Sequence, residues 1–128
     1  MVTCFQTNTD CSGGVLNGLA IDARNKHLIY TSKDKEIICK TFDGETQFCV
    51  KDLKIIKNPT SVTVHSSGYI LVGSETGSVH VISPDNNHYW PLIEKCQNIT
   101  RLCDIWLDQK EETLFLCGGK YIETYEIC

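Results

Sequence analysis

The chain has 128 residues, a formal charge of −4, 41% apolar residues and 22% charged residues. These values fit one globular domain and exclude a disordered chain. The acidic balance argues against a nucleic-acid surface, which needs clustered Lys and Arg, and the longest apolar runs are far too short to span a bilayer.

The N-terminus, Met1-Val2-Thr3-Cys4, has neither the charged nor the apolar region of a leader segment. Residues 1–10 read as an orphan outer strand around Cys4, Phe5 and Gln6. Residues 15–53 read as a first unit of four strands. Leu19 and Ile21 alternate with Ala20 and Asp22, and Arg24-Asn25-Lys26 makes a polar turn. Leu28-Ile29-Tyr30 is apolar throughout, Ile37-Ile38-Cys39 forms a third strand expected to alternate, and Asp43-Gly44 turns into a fourth at Gln47–Val50. The basic stretch from Lys51 to Lys57 alternates with apolar residues and reads as a solvated edge. Residues 58–95 repeat this grammar with Ser66-Ser67-Gly68 and Pro84-Asp85-Asn86-Asn87 as turns and Tyr89–Ile93 as the fourth strand. Residues 100–128 repeat it a third time, without an outer strand.

The units keep a fixed period. Leu19, Val62 and Ile105 recur at 43-residue intervals, as do Ile21, Val64 and Leu107. Ile37, Val79 and Ile122 follow at 42 and 43. Helical periodicity is absent, and turn signals recur every eight to twelve residues. Four antiparallel strands in a repeat of this length define the blades of a β-propeller. The expected fold is therefore all-β, with three blades forming a partial ring, half of a six-bladed one. The second strand of each unit, including Leu71 and Phe115, is expected to be buried on both faces. The outer faces of the first and last blades are expected to be bare. Phe5 lies 43 residues before Phe48, where a fourth strand belongs. The N-terminal strand is thus expected to complete the last blade, in a homodimer or in a longer chain.

Two stretches resemble a known family. Leu19-Ala20-Ile21-Asp22, Leu28–Ser32 and Lys35–Gly44 look like an NHL-type blade. The segment from Leu92 to Ile127 resembles the closing blade of tripartite-motif NHL proteins of invertebrates. In that family the propeller recognises partners, while RING and B-box modules of a longer chain supply ubiquitin-ligase activity. No Cys-x-x-Cys pair occurs here. The resemblance therefore implies a ubiquitin-ligase-associated, cytoplasmic protein-interaction module without catalysis of its own. Ile29-Tyr30-Thr31-Ser32 and Phe42-Asp43-Gly44 are also similar to the YWTD blades of extracellular lipoprotein receptors, the alternative reading, though Trp and Asp of that motif are missing. A weaker alternative is a metal-dependent hydrolase resembling lactonase propellers.

No residues read as catalytic, metal-binding or cofactor-binding. Asp22, His65 and Asp108 hold equivalent places at the end of each first strand. On separate blades they read as turn-openers that bond local backbone amides rather than as ligands of one ion. His88, Tyr89 and Trp90 form the most polar-aromatic cluster and are the candidate contact with an unidentified protein partner. Trp90 has the competing reading of a filler between blades. Asn98-Ile99-Thr100 fits a glycosylation acceptor. The eight cysteines allow reduced thiols or disulfides. Cys39 with Cys49 and Cys103 with Cys117 are expected to sit opposite each other across turns.

Overall fold

The computed structural model describes residues 16–32, 36–50, 56 and 58–127. Cys4, Phe5 and Gln6 lie outside the described residues. The alternating segments form eleven strands, and the described residues contain no helix. A first antiparallel sheet runs in chain order through β1 (Leu16–Asp22), β2 (His27–Ser32), β3 (Glu36–Thr41) and β4 (Thr46–Val50). A second follows as β5 (Pro59–Val64), β6 (Ile70–Ser74), β7 (Val79–Ile82) and β8 (Tyr89–Ile93). The third has β9 (Asp104–Leu107), β10 (Thr113–Gly118) and β11 (Tyr121–Glu126).

The turns repeat as faithfully as the strands. Lys26, Gly68 and Glu111 turn with φ of 57°, 95° and 58° at matching places in the three units. Gly44 and Asn86 do so in the next kind of turn, and Gly77 and Gly119 in another. Gly and Asn adopt this left-handed backbone easily. Gly77 has a further need: a Cβ there would lie 2.8 Å from the Ile99 carbonyl oxygen.

Two apolar cores hold the sheets together. Ile29, Ile37 and Cys39 of the first sheet pack with Val62, Ile70, Val72 and Ile82 of the second, with Ile56 between them. Leu71, Val79 and Val81 on the other face of the second sheet pack with Ile105, Leu114 and Leu116 of the third. Cys96, Ile99 and Leu102 from the connection complete that core. The second sheet is thus covered on both faces, and burying its aliphatic side chains contributes about 1.5–3 kcal/mol each.

Several expectations need correction. Phe115 is 39% exposed, whereas Leu71 is 3% exposed. They hold the same place in the repeat, but nothing among the described residues covers that face of the third sheet. The third strands β3 and β7 do not alternate: β7 lies between the two cores, and β3 has Ile37 and Cys39 in the first core while Glu36, Ile38 and Lys40 on its other face are buried as well. The outward face of the first sheet is bare only along β1, at Leu19 and Ile21; Tyr30 and Ile38 on the same face are buried. Cys39 pairs with Phe48 and Cys49 with Ile38, so Cys39 and Cys49 lie on opposite faces of the sheet rather than opposite each other.

Candidate functional site

The innermost strands β1, β5 and β9 stand side by side. They line a concave channel of about 420 Å³, faced by Leu19, Val62, Thr63, Ile105 and Trp106 among others. The turns at one end of this channel and the strand starts at the other carry different chemistry.

At the turn end, the three equivalent residues serve their own turns. Asp22 accepts the Asn25 amide at 3.3 Å, the His65 ring nitrogen Nδ1 accepts the Ser67 amide at 3.1 Å, and Asp108 accepts the Glu112 and Thr113 amides at 2.9 and 3.1 Å. These turns also bridge sheets. Arg24 donates to the Ser66 carbonyl at 3.3 Å, and the Ser66 amide donates to the Glu111 carboxylate at 2.5 Å. Among the described residues, no three His, Cys, Asp or Glu side chains converge as metal ligands.

At the strand-start end, all three sheets contribute to one open cavity of about 590 Å³. Its walls carry Asn17 from β1, Asn58 and Thr60 at the head of β5, Glu75 from the β6–β7 turn, and Arg101 and Cys103 just before β9. Backbone bonds fix this rim. The Glu75 amide donates to the Asn58 carbonyl at 2.9 Å, and the Leu102 amide donates to the Glu75 carbonyl at 3.3 Å. The Thr60 hydroxyl donates to the Leu102 carbonyl at 2.9 Å. Arg101 grips Glu75 through Nε and Nη2, at 2.9 and 2.5 Å. That pairing, first as hydrogen bond and then as charge, holds the guanidinium firmly in its charged form. The rim therefore presents amides, a hydroxyl and a fixed ion pair: donors and acceptors for a polar partner, without an assembled nucleophile and base.

The aromatic candidates do not form one surface. Trp90 pairs with Val81 on the face turned to the third sheet, where it meets Tyr69 edge-on at 5.9 Å between ring centres. Tyr89 pairs with Ile82, on the opposite face. His88 closes the turn from Ser83, and its ring lies 3.9 Å from Asp85. Trp90 is both an interblade residue and a partly exposed one. No local motif in the sequence marks the polar rim. The 43-residue register places Asn58 and Arg101 together where the first strands start.

Cys39, Cys96, Cys103 and Cys117 are unbridged. The Cys103 amide donates to the Cys117 carbonyl at 2.9 Å, but the strand register places Asp104 rather than Cys103 opposite Cys117.

No family model matches the chain, and no curated protein matches it. Solved structures do. A chain of the nidogen/laminin complex superposes with a TM-score of 0.76 at 17% identity, covering 88% of this chain and 44% of that one. A gluconolactonase from Xanthomonas campestris superposes with a TM-score of 0.68 at 21% identity, covering 85% of this chain and 36% of that one. Both are β-propellers, and the fold described above is that of a partial β-propeller, its three sheets being blades. The chain spans less than half the length of either structure.

Proposed function

We propose that this chain is a protein-binding propeller piece without catalysis, and that it receives its partner at the polar mouth of the channel. The observation that carries this reading is the convergence of Asn17, Asn58, Thr60, Glu75 and Arg101 from three blades on one open rim. Arg is favoured where a contact is strong, and amides and hydroxyls suit a polar protein loop. The rim holds its shape through backbone bonds, so little ordering entropy is lost on binding. One structural neighbour comes from a protein–protein complex, that of nidogen with laminin.

The finer reading, a tripartite-motif NHL recognition module in the cytoplasm, rests on the resemblance at Leu19–Gly44 and Leu92–Ile127. A second reading, an extracellular YWTD-type piece, is favoured by the similarity to the nidogen/laminin chain. The two share protein binding and differ in compartment.

The test compares wild-type chain with Arg101→Ala and Asn17→Ala as baits for partners identified by mass spectrometry. A partner retained by wild type and lost by both variants, with melting unchanged, is the expected result. Hydrolysis of a lactone in the presence of a divalent cation, lost on Glu75→Gln, would replace this reading with an enzymatic one.

A further inference from the structure

The connection from the second blade to the third carries Asn98-Ile99-Thr100, the acceptor pattern for an N-linked oligosaccharide. The fold decides which of these three side chains can be reached. Ile99 is buried in the core between the second and third blades. Its counterpart 43 residues earlier, Ile56, is buried in the core between the first and second. The packing of each pair of blades thus takes an apolar anchor at this place. The Glu123 carboxylate fixes the stretch further by accepting the amides of Gln97, Asn98 and Ile99 at 3.0, 2.8 and 2.9 Å. With Ile99 turned inward and the backbone held, Asn98 and Thr100 stand exposed on either side of it.

Neither flanking side chain has a task in the fold. Among the described residues, nothing bonds the Asn98 carboxamide or the Thr100 hydroxyl. Their counterparts are Ile55 and Lys57, so the repeat does not ask for these residue types either. The stretch lies between β8 and β9, where a bulky group displaces no strand pairing. The other Asn-x-Thr triplet, Asn58-Pro59-Thr60, is closed to this chemistry by its proline. Asn58 and Thr60 line the channel mouth, which therefore stays free of sugar.

We propose that Asn98 is an N-glycosylation site. The inference rests on the extracellular reading, because the transfer occurs on chains that enter the secretory route; it does not depend on recognition at the channel mouth. The donor is an oligosaccharide carried on a lipid diphosphate. The Asn98 Nδ2 forms a bond to the anomeric carbon of the sugar, and the bond from that carbon to the diphosphate oxygen breaks. The diphosphate leaves with the electron pair, and Nδ2 gives up one proton. The Thr100 hydroxyl, two residues on, is what the transferase reads. Glu123 holds the backbone nitrogen of Asn98 and not Nδ2, so sugar and clasp coexist in the folded chain. The Cys96 amide donates to the Gly77 carbonyl at 2.7 Å, and Glu75 of the same turn lines the mouth. The sugar accordingly stands at the mouth end of the molecule.

Trypsin cuts after Lys95 and Arg101 and isolates the acceptor in the peptide Cys96–Arg101. In protein from its natural source, this peptide is expected to be released from sugar by peptide-N-glycosidase in heavy-oxygen water, with the Asn98 carboxamide converted to a labelled carboxylate. A peptide that is found bare, with none released by the glycosidase, overturns the proposal. Acceptor specificity is read separately by sending the chain through the secretory route of cultured animal cells behind a leader sequence. Wild type and Thr100→Ser are expected to run as a heavier band that the glycosidase collapses, and Asn98→Gln and Thr100→Ala as the light band only. A light wild-type band overturns the proposal, as does a heavy band that survives Asn98→Gln. A thiol count on the natural-source protein separates the two possible failures. Bare Asn98 in a chain with bridged cysteines sinks the glycosylation site and leaves the extracellular reading standing, whereas bare Asn98 beside eight free thiols removes both.

Discussion

One position shows how far a repeat constrains a residue. Ile38, His80 and Glu123 are counterparts on the third strands. Ile38 is buried. His80 is buried too, its Nδ1 has no hydrogen-bond partner among the described residues, and burial lowers its pKa below the ordinary 6.5. The unfolded imidazole therefore takes up a proton more readily than the folded one. Its neutral form is favoured in both states above the ordinary value, and stability declines as pH falls through 6.5 toward the folded pKa. His80→Ile, the residue of the first blade, is expected to raise stability by about 1 kcal/mol by removing an unpaired buried polar atom. It is also expected to flatten the pH dependence of the melting temperature as pH falls from 7 through 6.5, and a variant with unchanged dependence would contradict this. Glu123 has found the opposite solution. Its carboxylate accepts the amides of Gln97, Asn98 and Ile99 at 3.0, 2.8 and 2.9 Å and the Tyr125 hydroxyl at 2.5 Å. The Tyr125 bond first, then the three amides, hold its pKa below the ordinary 4.5, against a smaller opposing effect of burial. Tyr125 in turn is pushed up to about 12, by burial and by the bond to Glu123. Glu123 stabilises the fold above the ordinary glutamate pKa, and that contribution is lost as pH falls through the lower folded value. Glu123→Gln is expected to lower the melting temperature at pH 7 and to bring it closer to wild type in acid. The sequence placed these three residues in register. It did not show their partners, because the amides at 97–99 are backbone groups that any residue type would supply.

Strands and turns were largely legible from period, alternation and turn residues. Asp43-Gly44 and Ser66-Ser67-Gly68 announced their turns through Gly, and both glycines adopt left-handed backbone. Lys26 and Glu111 adopt it as well, although neither residue type signals it; the place in the repeat decides. Burial was legible only where a strand has neighbours on both faces. Leu71 and Phe115 look alike in sequence, and their difference lies in which blades stand beside them, which no local pattern contains. Leu71→Ala is expected to cost about 2–5 kcal/mol through lost transfer energy and a cavity between the second and third blades. Phe115→Ala is expected to cost less than Leu71→Ala in the isolated chain, since the ring is 39% exposed and its removal leaves no enclosed cavity. Urea denaturation of the two variants measures both values at a concentration where the chain is monomeric. Equal losses would mean that the faces of β10 are assigned the wrong way round.

Across the whole molecule, the period predicted three stacked units and the structure has them, but the polar rim exists only once the units stand side by side. Asn17, Asn58 and Arg101 belong to no local motif; they meet because three inner strands start at one end of a shared channel. Cysteine chemistry is likewise a property of the assembled chain, and it bears on the compartment. Cys39 is buried and its pKa is raised to about 11, mainly by burial and further by the charge of Asp22. At pH 8 only about one thiol in a thousand is then ionised there, and the thiolate is the reactive form. Cys96 is also buried, and its pKa is raised by burial and by Glu123, against a smaller lowering by its Tyr125 hydrogen bond. Cys103 and Cys117 are exposed and unbridged. Alkylation of the native chain at pH 8, mapped by peptide mass spectrometry, is expected to label Cys103 and Cys117 rapidly and to leave Cys39 and Cys96 unlabelled until the fold is opened. Rapid labelling of Cys39 in the native chain would show that the core between the first two blades is not closed. Denaturation without reductant then counts every thiol in the chain. Eight free thiols are expected for the cytoplasmic reading, since all eight cysteines stay reduced there. A count lowered by two or more in protein from its natural source would mean bridges, and would move the chain to the extracellular reading.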